Sequence, residues 1–123
     1  MSYAERHTIA VTTAADGSAT AYSPVITGKL SQIRYVKTDF TDGVGFTITS
    51  NATGETLWTE SNVNASKTVA PRQATHDTVG VAALYAASGA AVNDKIALAN
   101  DRIKIVLAAG GNAKTGVFHI VIE

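Results

Sequence analysis

The sequence predicts an all-β protein, an antiparallel β-sandwich of about eight short strands, of which the jelly roll is one form. Three observations carry this. Apolar and polar residues alternate with period two along most of the chain, and no segment sustains a three-to-four repeat apart from one short Ala-rich run. Sixteen Thr, twelve Val and nine Ile supply the β-branched side chains that fit a pleated surface. Turn-forming clusters punctuate the alternating runs at short intervals, as two packed antiparallel sheets require. The length of 123 residues suits one domain spanning 1–123.

In chain order, His7 to Thr13 places Ile9 and Val11 on one face. A turn at Asp16-Gly17 leads to a weak strand ending near Tyr22, so residues 1–24 read as a weaker N-terminal strand or arm. Pro24 breaks the ladder. From Val25 to Lys37 the apolar residues change parity at Gly28, which predicts a bulge or bend there. Thr38 to Gly43 is a turn. Val44 to Ser50 and Glu55 to Glu60 flank Asn51-Ala52-Thr53-Gly54 and form a hairpin. Pro71 to Asn93 is polar and then Ala-rich, open between a long loop and one or two helical turns within 79–91. Lys95 to Asn100, Arg102 to Ala109 and Gly116 to Glu123 are the last strands, with a turn at Gly110 to Lys114. The inward set is Ile9, Val11, Ile33, Tyr35, Phe46, Ile48, Ile103, Ile105, Leu107, Phe118, Ile120 and Ile122.

Composition narrows the function. Ten basic and ten acidic residues balance to a formal charge of zero, so no net field draws in nucleic acid or an anionic membrane. Cysteine is absent, which removes disulfides, thiolate nucleophiles and Cys-based zinc sites. No run approaches the ~20 apolar residues of a membrane helix, and Glu5, Arg6, His7 and Asp16 stand where a signal core would be apolar. A soluble, unprocessed chain is expected.

No catalytic constellation assembles. His7, His76 and His119 lie on separate segments, and His119, between Phe118 and Ile120, reads as a half-buried strand residue. In His76-Asp77 the neighbours of an extended chain point to opposite sides, so a loop-anchoring role outweighs a shared site. Asp39 and Asp42 resemble a calcium loop only superficially, since the downstream bidentate Glu is missing. Gly110-Gly111-Asn112 with Lys114 is followed by a strand, whereas phosphate loops enter a helix. The expectation is a protein without enzymatic activity, cofactor or metal.

Gly28-Lys29-Leu30-Ser31-Gln32-Ile33-Arg34-Tyr35 followed by Gly43-Val44-Gly45-Phe46-Thr47-Ile48-Thr49 resembles small virion proteins encoded among the head genes of tailed bacteriophages. Ala70-Pro71-Arg72-Gln73-Ala74-Thr75-His76-Asp77 and Asp101-Arg102-Ile103-Lys104-Ile105-Val106 with Gly110-Gly111-Asn112 are similar to blocks of the same proteins, so the likeness spans residues 25 to 123. The resemblance implies a capsid decoration, or cement, protein: a β-rich oligomer made in the bacterial cytoplasm that binds the major capsid protein on the virion surface. Contacts are expected from the loop Arg72 to Asp77 with His76, from the turn Gly110, Gly111, Asn112 and Lys114, and from a basic edge of Lys29, Arg34 and Lys37. Self-association to a dimer or trimer is expected, with Thr8, Ala10 and Thr12 of the first strand reaching a neighbour by backbone pairing. A tail or head–tail connector role is the alternative. A carbohydrate-binding module is another, for which Tyr22, Tyr35, Trp58 and Tyr85 are the candidate aromatics.

Overall fold

A computed structural model describes residues 4–123; of the N-terminal arm, residues 1–3 lie outside the described part. Ten strands follow one another: β1 (Glu5–Thr12), β2 (Ala19–Tyr22), β3 (Ile26–Lys37), β4 (Val44–Ser50), β5 (Thr56–Val63), β6 (Lys67–Val69), β7 (Arg72–Ala74), β8 (Asn93–Asp101), β9 (Ile103–Ala108) and β10 (Thr115–Ile122). They form two antiparallel sheets. One runs β1-β10-β3-β8-β7 with β6 also paired to β3, and the other runs β2-β9-β4-β5.

Setting β6 and β7 aside, the eight remaining strands pair first with last: β1 with β10, β2 with β9, β3 with β8 and β4 with β5. That is one long antiparallel ribbon rolled over itself, the topology of a jelly roll. The sequence expectation of a sandwich of about eight strands holds, and the two extra strands are three-residue additions. They escape a sequence reading because three residues are too few to show a period. β3 is twelve residues long; β8 pairs with its Ile26 to Leu30 half, and β6 takes up the Ile33 to Tyr35 stretch.

Every residue of the predicted inward set is buried, joined by Ile26, Leu30, Phe40, Val44, Leu57, Trp58, Val63, Ile96 and Leu98. Aromatic rings knit the two sheets: Tyr35 and Phe118 of the first lie 5.3 and 5.2 Å, centroid to centroid, from Phe46 of the second. Phe46 in turn meets Trp58 edge-on at 4.7 Å. Phe40, in the β3–β4 loop, closes one end of the core, and Gly116 is required beneath it because a Cβ there would overlap the Phe40 ring.

The predicted irregularity at Gly28 is present. The β3–β8 register shifts between Ile26 and Gly28, and Gly28 has φ 144°, a left-handed value that glycine accepts. A Cβ at this position would stand 2.6 Å from Ile122 Cγ2, so the bend also lets β10 approach closely. One alternative left open by the sequence is resolved and one expectation is corrected. The segment 71–93 contains no helix; it holds β7 and then a hairpin extension, because Gly80 and Gly89 close turns on either side of too short an Ala run. Lys29, Arg34 and Lys37 do not line an edge, because β3 sits inside its sheet between β10 on one side and β6 and β8 on the other.

Candidate interaction surfaces

The connection from β7 to β8 is a built finger. Thr75 N–H donates to the Val92 carbonyl (2.8 Å), Ala83 N–H to Thr75 (2.8 Å) and Val92 N–H to Ala83 (2.9 Å), which ties three short extended runs together. Isolated bridges His76–Ala82 and Leu84–Ala91 continue the pattern. Asp77 organises the first turn: its Oδ1 accepts from the N–H of Val79 (2.9 Å) and of Val81 (3.1 Å), an Asx-type arrangement, and Gly80 follows at φ 84°. Tyr85 N–H to the Ala90 carbonyl closes the second turn.

None of the finger's larger side chains reaches the core. Val79 is 79% exposed, Tyr85 76%, Val81 59% and Leu84 46%, four of the seven exposed large hydrophobics among the described residues. Asp77 is the one residue with a formal charge between 75 and 92. A backbone bonded into fixed shape that displays apolar, uncharged side chains to water is the pattern of a contact surface. The sequence showed the Ala and Gly content of this segment but not its exposure, since Val and Leu at irregular spacing carry no periodic signal.

The residues expected to make contacts are scattered. Lys29 stands in a notch of about 390 Å³ with Asp94, Lys95 and Glu123, its Nζ 3.9 Å from Asp94, while Lys95 meets Glu123 at 2.9 Å. Arg34 donates to Thr68 Oγ1 (2.7 Å), tying β6 to β3. Lys37 pairs with Asp42 and donates to the Asn64 carbonyl (3.2 Å). Arg72 donates to the carbonyls of Ser31 and Pro71, both at 2.9 Å. His76 and Asp77 are exposed at the base of the finger.

The turn Gly110 to Lys114 is packed. Gly110 is buried; its N–H donates to Gly17 and its carbonyl accepts from Thr41. Thr13 Oγ1 donates to the Gly111 carbonyl (2.6 Å) and accepts from Lys114 N–H (2.9 Å). The turn is thereby clamped between the β1–β2 and β3–β4 loops, and Asn112 is exposed. Asp39 belongs to the same end. It accepts from Thr115 N–H and Oγ1, which holds its carboxyl below the usual carboxylate range. The Asp39 and Asp42 carboxylates therefore serve a turn and an ion pair.

The histidines diverge. His119 is directly opposite Thr8, whose hydroxyl lies 3.3 Å from its Nδ1 on the outer face of the sheet; His7, one residue along β1, points to the other face, and His76 is on the finger. Among the described residues no group of three or more His, Asp or Glu is arranged to hold a metal ion. An open hollow of about 400 Å³ lies against β9, β4 and β5, with Gly45, Thr47, Thr59, Val106 and Ala108 in its lining and Glu60 as its one charged group. Of the four aromatics considered for a sugar platform, Tyr35 and Trp58 are core residues, and Tyr22 and Tyr85 are exposed on different elements.

Comparison with protein-family models, with curated proteins and with solved structures finds no match for this chain.

Proposed function

We propose that this is a non-enzymatic structural virion protein that binds the major capsid protein of a tailed phage and stabilises the head as a decoration, or cement, protein. The observation that carries the reading is the finger: a filled jelly roll whose most exposed apolar side chains, Val79 and Tyr85, are held out on a hydrogen-bonded extension. A surface of that kind is suited to a protein partner, and the blocks of sequence resembling phage head proteins, which include the approach to the finger at Ala70 to Asp77, supply the partner's class.

Energetically, the role asks little of each copy. A ligand that binds only the assembled lattice stabilises it by mass action, and the effect recurs at every lattice site. Modest affinity per subunit then raises resistance to heat and to internal DNA pressure. The test mixes purified protein with cognate heads that lack it, measuring binding by sedimentation and the temperature of DNA release. Binding with a raised release temperature is expected. Recovery of the protein in tails or connectors, with no effect on heads, transfers it to the alternative structural role.

A further inference from the structure

We infer that β1 is a dimerisation strand, pairing antiparallel with β1 of a second copy so that the two larger sheets become continuous. The inference is independent of head binding, since it is read on the isolated protein.

The argument compares the edges. A free strand edge presents unpaired N–H and C=O groups, and proteins blunt such edges with brevity, bulges, proline or charge. Among the described residues, β2 is four residues long and β7 three, with Arg72 at its start. β5 is eight residues long, but its pairing with β4 shifts register twice, Glu60 lies within it, and Asn62 is at φ 56°. β1 carries only one of these protections, the charges of Glu5 and Arg6 at its start, and none along residues 7–12. It runs eight residues in unbroken register with β10, contains no proline or lysine, and carries no formal charge after Arg6. Among the described residues its other edge has no partner strand.

Such an edge accepts an extended backbone, and a second β1 fits it. Directly paired residues must point to the same face. With Ile9 and Val11 turned to the core and Thr8, Ala10 and Thr12 to solvent, a twofold axis must pass through a residue and not between residues. The longest such pairings place it at Thr8, joining residues 5–11, or at Ile9, joining residues 6–12. In the Ile9 register the hydrophobic layer continues through Ile9 against Ile9, with His7 facing Val11 on either side; in the Thr8 register Ile9 faces His7 and Val11 faces Glu5. Among the described residues, β6 is a three-residue edge that begins at Lys67, and the stretch of β8 that β7 leaves uncovered is interrupted at Asn100 (φ 50°), so β1 is the one long uninterrupted edge and twofold pairing there closes at two. An edge contact is smaller than a standard interface of about 800 Å² per partner, so the dimer is expected to depend on protein concentration.

Cross-strand Cα separations of about 4.5–5.5 Å fall within disulfide reach, and the chain has no cysteine of its own. The experiment therefore oxidises Thr8→Cys alone and an equimolar mixture of Thr8→Cys with Ala10→Cys, beside Val106→Cys on the other sheet. Light scattering follows the unmodified protein and the double variant Thr8→Lys/Ala10→Lys from micromolar to millimolar concentration. Expected are a concentration-dependent dimer, disulfide formation by Thr8→Cys alone or by its mixture with Ala10→Cys, little from Val106→Cys, and at least a tenfold weaker dimer in the lysine variant. A monomer throughout, a trimer, or a dimer that crosslinks at position 106 and not at β1 overturns the inference. Should the lysine variant fail to fold, the crosslinking pattern decides alone.

Discussion

The Tyr35 hydroxyl is fully buried among Phe40, Phe46 and Phe118 and has no hydrogen-bond partner. Burial pushes its pKa upward, because the phenolate would be desolvated. An unpaired buried hydroxyl costs free energy that a phenylalanine does not, so Tyr35→Phe is expected to leave stability unchanged or raise it by about 1 kcal/mol in urea denaturation. Asp101 is the opposite case. Its buried carboxylate accepts from Ser50 Oγ, from Ala52 N–H (2.9 Å) and from Arg102 N–H (2.7 Å), pinning the β4–β5 turn to the β8–β9 corner. These bonds, led by Ser50, hold its pKa below 3.8. The stabilisation is therefore present above that unfolded value and is lost as pH falls through the lower folded one. Asp101→Asn can keep its oxygen on the Ala52 and Arg102 N–H groups but removes the charge from these bonds and replaces the acceptor of the Ser50 hydroxyl by an N–H₂, and should cost about 1–3 kcal/mol at neutral pH. Its melting temperature should also fall less steeply than that of the unmodified protein below about pH 4; parallel curves for the two proteins would remove Asp101 as the cause. Neither role was legible in sequence, since Tyr35 reads simply as inward and two of the three partners of Asp101, Ser50 and Ala52, lie about fifty positions away.

Among elements, the bend at Gly28 and the finger behave differently under substitution. Gly28→Ala combines a left-handed φ with a clash against Ile122, and a loss of about 1–3 kcal/mol is expected in thermal or urea melting. The finger variant Val79→Asp/Tyr85→Asp removes exposed apolar groups that touch no core residue, so stability should change by no more than ~0.5 kcal/mol per site. Binding to heads should nevertheless drop at least tenfold; equal binding by the double variant would exclude the finger as the contact. The bend was legible because an apolar parity change coincided with a glycine. The finger was not: its extended runs are two or three residues long, and what fixes them is the mutual bonding of Thr75, Ala83 and Val92 rather than a local preference. The basic residues of β3 show the same limit, since whether Lys29, Arg34 and Lys37 form an edge depends on where β6, β8 and β10 dock.

For the whole molecule, the twenty-one buried hydrophobics form one core from both sheets, and its centre should tolerate truncation badly. Ile105→Ala or Phe118→Ala is each expected to cost about 2–5 kcal/mol, measured by denaturation with a β-dominated circular-dichroism spectrum retained. Melting unaltered by both would contradict the packing described. By itself the sequence determined the all-β class, most of the strand positions, the hairpin at Asn51 to Gly54 and the inward parity of Ile9 to Ile122. These follow from alternation and turn chemistry, which act between neighbours along the chain. The tertiary structure decided the rest: the first-with-last pairing that makes a jelly roll, the strands β6 and β7, the burial of Asp101, the exposure of Val79 and Tyr85, and the unguarded edge of β1. Each of these depends on which distant segment lies alongside, a choice made by packing a common core, and no local pattern encodes it.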